Sequence, residues 1–432
     1  MRLASLLLFS ATVYAQTTQS TAIRTFSPSE EVNRVLPSWI QFGGEYRARF
    51  EGYTGGSFKP ETTDSYMLSR LKLNVTIKPT WWLTFFGEGY DARAIAKSPA
   101  LPPFQSTWDI RQAYAELGGE KQMFRVRVGR QELNFGEQRL IGSLPWTNAA
   151  RTFDAVRGTL HTQGFRADIF TASVVNPIDE TWDHHLQGNN LHGIYTSFDK
   201  LIPRATIEPY VLWRVQPQVR NEAGVVANLD EKITGVRWIG KLPLGFDYGA
   251  EAVDEAGYLG SDRIRAWATH FVIGETFKAP LMPRVFAEFN FASGDKNPKD
   301  GFRGTFDQLY PTGHDKYGLS DQMGWRNMKD VRAGVETKPG KNVTTSVVYN
   351  DWFLASRFDA MYNATGAALF RSANGTAGTH VGREMDVIAT WTIIQPLQAG
   401  AGLGHIFPGE FLKKTTPGNA YNFPYVMFTY KF

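Results

Sequence analysis

Apolar and charged side chains alternate along most of this chain, and this alternation limits the possible folds more than any other feature of the sequence. In the first such segment, one set of alternate residues is apolar or aromatic and the other is polar or charged: Ile40, Phe42, Tyr46, Ala48 and Phe50 against Gln41, Glu45, Arg47 and Arg49. A period of two residues predicts a β-strand whose two faces meet different surroundings. Similar segments recur from Met67 to the C-terminus, so the sequence predicts an all-β protein.

Two kinds of all-β protein show this pattern. A soluble sandwich turns apolar faces toward a core and polar faces toward water, whereas a membrane barrel turns apolar faces toward lipid and polar faces toward a wet interior. The polar faces here carry so many ionised groups that the barrel is favoured, although alternation alone does not exclude the sandwich. A closed antiparallel barrel satisfies every backbone N–H and C=O group within the membrane. We count about 18 strands, an even number within the range of single-chain bacterial barrels.

The last strand and the connectors support a transmembrane barrel. One aromatic and apolar stripe runs along the C-terminal segment: Val426, Phe428, Tyr430 and Phe432. A terminal strand that ends in phenylalanine is typical of outer-membrane barrels, and we expect the barrel-assembly machinery to recognise it. Tight connectors such as residues 338–341 alternate with long ones such as residues 295–326. This difference predicts short periplasmic turns and long extracellular loops.

The chain divides into three predicted segments. Residues 1–15 combine an early arginine, an apolar stretch and a small residue before Gln16, which indicates a secretory signal peptide. Residues 16–38 form an N-terminal periplasmic lead-in, and residues 39–432 form the barrel. After the signal, no apolar run approaches the ~18 residues that a membrane helix requires. We therefore expect the protein in the outer membrane of a Gram-negative-type bacterium, in contact with lipid and lipopolysaccharide.

The composition excludes several other classes of protein. The chain has no cysteine, so it contains neither disulfide bonds nor thiolate metal sites. A net charge of +4 does not indicate a nucleic-acid partner. The sequence contains no phosphate loop, nucleophile elbow or dinucleotide fingerprint, and we expect no cofactor. Asp295, Asn297 and Asp300 offer oxygen ligands for calcium, but their spacing departs from that of an EF-hand and favours a solvated turn.

Four stretches of the chain resemble the alginate export family. They are residues 129–136, 151–157, 293–295 and 305–314. The most specific residues in the last two stretches are Ser293, Gly294, Asp295, Phe306, Asp307, Tyr310, Pro311 and His314. The resemblance extends over residues 39–432. It implies a barrel of about 18 strands that exports alginate, an anionic polyuronate, across the outer membrane, with periplasmic secretion proteins as partners.

An anionic polysaccharide needs a cationic path through such a barrel. Arginine stays ionised and binds carboxylates in a bidentate manner, and rings of arginine or lysine line known anion pores. The alternation predicts that these cations face the lumen: Arg47, Arg49, Arg70, Lys72, Arg111, Arg125, Arg127 and Arg332. The family resemblance adds Arg130 and Arg151 near a constriction. The acids expected among them are Glu45, Glu88, Asp109, Asp154, Glu288 and Glu384.

Several interpretations of these residues remain open. For each charged residue, a salt-bridge lattice that stiffens the wall competes equally with a contact to substrate. Tyr210, Trp146 and Trp325 could stack on sugar rings, although packing is favoured for each. An uptake porin for small anionic or neutral molecules is the main alternative function. A barrel hydrolase that uses Glu88 and Glu288 is less favoured, because no local catalytic motif accompanies these carboxylates.

Overall fold

The computed structural model describes residues 27–432 except residues 120, 222–223 and 298. The signal peptide predicted for residues 1–15 and the beginning of the lead-in lie outside the described residues. Helix α1, Pro28–Val35, precedes the first strand. Asn33 of this helix binds the backbone of Phe42: its Nδ2 donates to the carbonyl oxygen (2.8 Å) and its Oδ1 accepts from the amide (2.7 Å). These two bonds fix α1 beside the beginning of the barrel.

Eighteen long antiparallel strands close into a single barrel. They are β1 Ile40–Thr54, β2 Thr63–Thr80, β3 Leu83–Ile95, β4 Ser106–Leu117, β5 Phe124–Gln131, β6 Phe153–Thr162, β7 Phe165–Asn176, β8 His184–Phe198, β9 Ala205–Arg220, β10 Val226–Lys241, β11 Phe246–Leu259, β12 Asp262–Thr276, β13 Arg284–Ala292, β15 Met328–Gly340, β16 Val343–Leu354, β19 His380–Ile394, β20 Leu397–Pro408 and β21 Tyr421–Lys431. Three further strands are short and lie in connections: β14 Phe302–Arg303, β17 Ala360–Tyr362 and β18 Ala368–Arg371.

The barrel closes because its first and last strands pair. β1 pairs with β2 on one edge and with β21 on the other, where Ala48 stands opposite Phe428. Phe432 completes this seam through two backbone hydrogen bonds with Gly44. The amide of Phe432 donates to the carbonyl oxygen of Gly44 (3.0 Å), and the amide of Gly44 donates to the backbone oxygen of Phe432 (2.7 Å). Closure leaves no free sheet edge among the long strands. The predicted all-β barrel of about 18 strands is therefore confirmed.

The connections differ between the two ends of the barrel. The end that holds both termini, here called the short-turn end, has turns such as residues 163–164 between β6 and β7. The opposite end, here called the loop end, has long connections such as residues 132–152, 293–327 and 355–379. Helix α2, Glu410–Thr415, lies in the loop-end connection between β20 and β21. In barrels of the predicted class, short turns face the periplasm and long loops face outward.

The two faces of the strands have opposite character. Outward side chains such as Phe50 and Val331 are apolar and about half exposed, at 50% and 52%. Inward side chains such as Arg49 and Glu384 are only 2% and 0% exposed. The structure thus places apolar groups outside and ionised groups inside, as the alternation predicted. In the part of the chain that the structure describes, no helix is long and apolar enough to cross a membrane.

The packed core lies inside the barrel. Two loop-end connections turn into the interior, and we call residues 132–152 the first inward segment and residues 293–327 the second inward segment. Leu133 of the first and Phe306 and Trp325 of the second are 0% exposed. They pack with buried residues of the wall such as Phe153 and Trp352. The lumen is therefore occupied along part of its length by the chain itself.

Candidate functional site

The two inward segments meet each other in the middle of the barrel. Ile141 and Tyr310 form a parallel bridge, in which the amide of Gly142 donates to the oxygen of Tyr310 (2.9 Å) and the amide of Tyr310 donates to the oxygen of Leu140 (2.8 Å). The guanidinium of Arg151 donates to Gly142 and to Pro311, at 3.2 and 2.9 Å. Arg151, placed near a constriction by resemblance, thus fastens one inward segment to the other.

The first inward segment is held against β1 and β2 by three arginines. Arg47 donates to the carbonyl oxygens of Pro145 (2.8 Å), Trp146 (3.0 Å) and Thr147 (3.1 Å). Arg70 donates to the oxygens of Pro145 and Thr147, both at 3.0 Å. The third member of the group is Arg49, which donates to Trp146 and stacks on its ring at 3.7 Å. We call Arg47, Arg49 and Arg70 the latch arginines, because most of their acceptors are neutral carbonyls of this segment.

The opposite side of the barrel holds the same segment through ion pairs. Arg139 donates to Glu288 of β13 (3.1 Å) and to the hydroxyl of Tyr317 (3.0 Å). Arg237 of β10 lies 3.3 Å from Glu137. The first inward segment therefore spans the lumen from β1–β2 to β10–β13.

A second group of arginines lies near the short-turn end. Arg125 and Arg127 of β5 share Glu116 of β4, at 3.8 and 2.6 Å. Arg157 of β6 and Arg166 of β7 share Asp168, each at 2.8 Å. We call these four residues, Arg125, Arg127, Arg157 and Arg166, the lower arginines. With Glu116 and Thr159 they line a cavity of about 140 Å³.

The other predicted cations and acids of the inner wall form pairs with one another. Lys72 lies 3.8 Å from Glu45, which also accepts from Arg70 at 2.7 Å. Arg111 contacts Glu88 at 2.6 Å and Glu132 of the first inward segment. These contacts show that the wall contains a salt-bridge lattice, one of the two interpretations that the sequence left open.

On the other wall, the predicted acids bind the second inward segment. Glu384 accepts from the amide of Ser320 at 2.9 Å. Arg332 links Glu288 (3.3 Å) to the carbonyl oxygen of Lys316 (3.2 Å). Asp109 differs from these acids, because it lies on β4 and accepts from the amide of Asp183 in the connection between β7 and β8, at 2.5 Å. Glu88 and Glu288 are each bound by arginines, and no contact joins them, so the structure gives no support to an acid–base pair for hydrolysis.

Arg130 and Asp154 require a correction. The sequence placed both among the pore-lining residues, but the strand register places them on the outer face near the loop end. They stand opposite each other and alternate with the exposed Val128 and Val156. Arg130 contacts Asp154 at 2.8 Å, and Asp154 also contacts His185 at 3.0 Å. Arg130 was misplaced because it was assigned by resemblance, whereas the alternation from Arg125 and Arg127 leads inward to Gln131. Asp154, expected among the inward cations, stands opposite Arg130 and so shares its outer face.

The family-like residues 293–295 fix the beginning of the second inward segment. The hydroxyl of Ser293 accepts from the amide of Trp267 at 2.9 Å, and the backbone carbonyl oxygen of Ser293 accepts from the amide of Phe306 at 3.0 Å. A side chain at Gly294 would collide with Asn327, which donates to Ser356 and Ala360. Asp295 accepts from the amides of Gly304 (2.7 Å) and Asn297 (2.6 Å). This stretch therefore shapes the turn by which the chain enters the barrel.

Residues 305–314 lie within the interior. Tyr310 donates to Asn189 at 2.6 Å, and Asp307 accepts from Arg214 of β9 at 2.9 Å. Burial raises the pKa of Asp307, but Arg214, Arg326 and Arg303 together hold it below its ordinary value. The contact between Asp307 and Arg214 anchors the segment to the wall. Phe306 is fully buried against Trp325.

His314 and Trp146 join the two inward segments at the latch. Their rings stack at 3.7 Å, and His314 also contacts Asp321 at 3.0 Å. The opposite face of Trp146 carries the guanidinium of Arg49. Trp325 and Tyr210 are 0% and 4% exposed, and Tyr210 donates to Glu251 at 2.7 Å. All three aromatic residues considered for sugar stacking are thus engaged in packing.

The calcium ligands suggested by residues 295–300 are occupied by backbone groups. Asn297 accepts from the amide of Lys299 at 3.2 Å, and Asp300 accepts from the amide of Phe302 at 2.9 Å. Across residues 27–432, apart from the four that are not described, no cluster of three or more His, Asp or Glu side chains fits a metal ion. These side chains accept hydrogen bonds from backbone amides two residues later, as in Asx turns.

The charges of the inner wall are unevenly distributed. β1–β7 carry the latch arginines, Lys72, Arg111 and the lower arginines. β9–β19 carry most of the buried inward acids, namely Glu231, Glu251, Glu255, Glu288, Asp330, Glu384 and Asp386, and also the partly buried Glu208. One side of the interior is therefore richer in cations and the other richer in acidic side chains.

Sequence reasoning missed part of this site. Arg157 and Arg166 follow the alternation of β6 and β7 and point inward beside Arg127. Applying the period of two to these strands would have found both. Arg139 lies within the first inward segment, and Arg214 binds Asp307 of the second. No local sequence pattern marks these segments as internal.

Comparison with known proteins agrees with this architecture. A family model described as "Alginate export" matches residues 38–426. The comparison with curated proteins gave no match. Among solved structures, OpdQ of Pseudomonas aeruginosa is 10% identical with a TM-score of 0.63, covering 91% of this chain and 97% of that one. OpdK of the same organism, solved with vanillate, is 9% identical with a TM-score of 0.63, covering 90% and 98%.

OccK8 (OprE) of Pseudomonas aeruginosa gives a similar result, with 10% identity, a TM-score of 0.61 and coverage of 91% and 98%. At such low identity these structures show a common fold. The family match covers nearly the whole barrel and, with that fold, indicates a channel rather than an enzyme. This chain belongs to the alginate export family and forms an outer-membrane β-barrel of a Gram-negative-type bacterium.

Proposed function

We propose that this barrel exports an anionic polysaccharide, an alginate-like polyuronate, through an arginine-rich lumen. The observation that carries the proposal is the band of inward cations on β1–β7. Arg49 lies at the end of the band nearer the loop end, and Arg125 lies at its other end, near the short-turn end. A polyuronate carries one carboxylate per sugar. Successive guanidinium groups along one wall offer successive partners for these carboxylates.

The acids of the opposite wall complement this band. A channel must bind its substrate well enough to admit it and weakly enough to release it. The inner face of β9–β19 carries more acids than arginines, so it offers a polyuronate fewer cationic partners and leaves the polymer near β1–β7. Outer-membrane lipid, lipopolysaccharide, periplasmic secretion proteins and, through β21, the barrel-assembly machinery complete the proposed set of partners.

Passage of a polymer requires the inward segments to move. The latch arginines hold the first inward segment through neutral carbonyl oxygens. Hydrogen bonds between two ionised groups are stronger than those between a guanidinium and a neutral carbonyl. A uronate carboxylate therefore competes with residues 145–147 for the same donors, and the substrate itself weakens the contact that blocks its path.

Single-channel recording in planar bilayers tests this function. We expect oligouronates to cause long current blocks, while neutral oligosaccharides of the same length and monomeric uronate do not. Equal block by the neutral oligosaccharide would show that charge does not select the substrate and would overturn the proposal.

A second candidate function is uptake of small carboxylates. It is favoured by the partly filled interior and by the fold shared with OpdK, which was solved with vanillate. Liposome swelling or flux assays with small carboxylates separate the two functions. Saturable flux of a small carboxylate, combined with no block by oligouronates, would replace export by uptake.

A further inference from the structure

We propose that the lower arginines form a carboxylate-binding site at the periplasmic mouth, where an anionic polysaccharide makes its first contact with the channel. The site consists of Arg125, Arg127, Arg157 and Arg166. This inference rests on the proposed export function and deepens it, because it assigns the place and the ligand class of the first step.

The strand register brings the four arginines together. Arg127 stands opposite Glu116 on one side and Arg157 on the other. One row nearer the short-turn end, Thr159 stands opposite both Arg125 and Asp168. Paired residues in an antiparallel sheet point to the same face, so these side chains share one patch of the inner wall.

The patch has more positive than negative charge. Its four guanidinium groups share only two carboxylates, Glu116 and Asp168. Each guanidinium carries five N–H donors, so the two acids cannot satisfy them all. Asp168 also accepts a hydrogen bond from the hydroxyl of Thr159, at 2.6 Å. The remaining donors are available to an anion.

Water and solutes reach this patch. The side chains of Arg125, Arg127 and Arg166 are 26%, 26% and 36% exposed. The latch arginines are nearly inaccessible by comparison. The cavity of about 140 Å³ is large enough for a carboxylate with several water molecules, each of which occupies roughly 30 Å³.

The position of the patch matches an entry site. Arg125 is the second residue of β5 and Arg166 is the second residue of β7, so both lie beside the short turns. Those turns face the periplasm in outer-membrane barrels. A polymer that leaves the cell meets this end first. Arg127 and Arg157 then lead upward toward the first inward segment, where the guanidinium of Arg157 lies 5.3 Å from the ring of Phe135.

The double variant Arg157→Gln/Arg166→Gln tests the site in full-length protein, in planar bilayers, with oligouronate added to one side at a time. Binding from the short-turn side should weaken at least about tenfold, because two charge-assisted contacts are lost. Binding from the loop side should change less than about twofold. Arg157→Lys/Arg166→Lys, which keeps the charge without the bidentate geometry, should give an intermediate loss.

Arg284→Gln is the matched control. Arg284 is an inward arginine near the same end of the barrel, but Asp247 binds it at 2.6 and 2.9 Å and Glu336 at 3.3 Å. Its removal should leave oligouronate block unchanged from both sides.

The outcomes separate this site from the function on which it rests. Equal block of the wild type and of both double variants from the short-turn side would overturn the site while the export function stands. Block of the wild type by inorganic sulfate as strongly as by oligouronate would overturn the carboxylate assignment. Absence of oligouronate block in the wild type from either side would overturn the export function, and this site with it.

Discussion

The latch arginines and the lower arginines lie on the same wall but differ in their exposure and in the groups that accept their hydrogen bonds. Arg47 and Arg70 are 4% and 3% exposed, and their principal acceptors are neutral carbonyl oxygens of the first inward segment. Arg127 and Arg166 are accessible and share carboxylates with neighbouring arginines. One group binds the protein's own chain, while the other retains donors for a ligand.

This difference shows that the acceptor, rather than the residue type, decides what an inward arginine does. A buried guanidinium needs acceptors for its donors, and a loop that supplies carbonyls becomes fixed in place. A guanidinium that faces water needs no such loop. Substitutions in the two groups should therefore have different effects.

The largest effect is expected from removal of the latch. Arg47→Ala/Arg70→Ala deletes several charge-assisted hydrogen bonds, and two of these alone should raise the population of the released segment by about 100-fold. Single-channel conductance should increase, and a protease should cleave within residues 132–152. Arg284→Ala serves as the control and should leave both unchanged. Wild-type conductance in the double variant would show that the latch does not hold the segment.

Charge removal should affect ion selectivity unequally in the two groups. Arg127→Gln removes a charge that faces the ion path and should lower the preference for chloride over potassium about fivefold. This estimate follows because two unit charges 4 Å apart in water interact with an energy of about 1 kcal/mol. Arg49→Gln removes a charge shielded by Trp146 and Glu51 and should change selectivity less than about twofold. Reversal potentials in a potassium chloride gradient measure both. Equal shifts would contradict the distinction.

Salt should weaken the lower arginines but leave the latch intact. The Debye length falls from about 10 Å at 0.1 M to about 3 Å at 1 M ionic strength, and buried pairs are screened much less than accessible ones. Oligouronate affinity from the short-turn side should therefore fall steeply with salt. Protease resistance of residues 132–152 should stay constant. Loss of resistance at high salt would indicate that the latch is as accessible as the lower arginines.

The smallest effect is expected from the acids that the lower arginines share. Glu116→Gln removes one competing carboxylate and should strengthen oligouronate binding from the short-turn side by roughly threefold, because partial pairing of exposed charges contributes about 0.2 to 1 kcal/mol. Titration of block frequency against oligouronate concentration measures it. Weaker binding in this variant would show that Glu116 orders the arginines more than it competes with the ligand.

The strands and the inward position of most charged residues followed from sequence because the period of two is a local property. Arg47, Arg70 and Arg332 each alternate with apolar neighbours, which is enough to assign their face. Arg130 was misplaced where resemblance replaced alternation, and Asp154, which stands opposite it, was misplaced as well. The outward face of β6 also carries Asp154 and Gly158 among its apolar residues, so the alternation that places Arg157 inward is less regular there than in β1.

The inward segments could not be predicted in the same way. Their positions depend on contacts between residues far apart in sequence, such as Arg47 with Pro145 and Gly142 with Tyr310. Irregular chain has no periodicity that marks it as internal. The family-like residues 293–295 and 305–314 were found as motifs, but their contribution to packing inside the lumen appears only in three dimensions.

The central claim is that charge selects the polymer that this channel passes. Flux of fluorescent oligouronates through proteoliposomes, compared with neutral oligosaccharides of equal length, tests it most directly. An anion-selective export channel should pass the oligouronate, and Arg47→Ala/Arg70→Ala should pass it faster. Equal passage of the neutral oligosaccharide, or none of the oligouronate in both proteins, would contradict the claim.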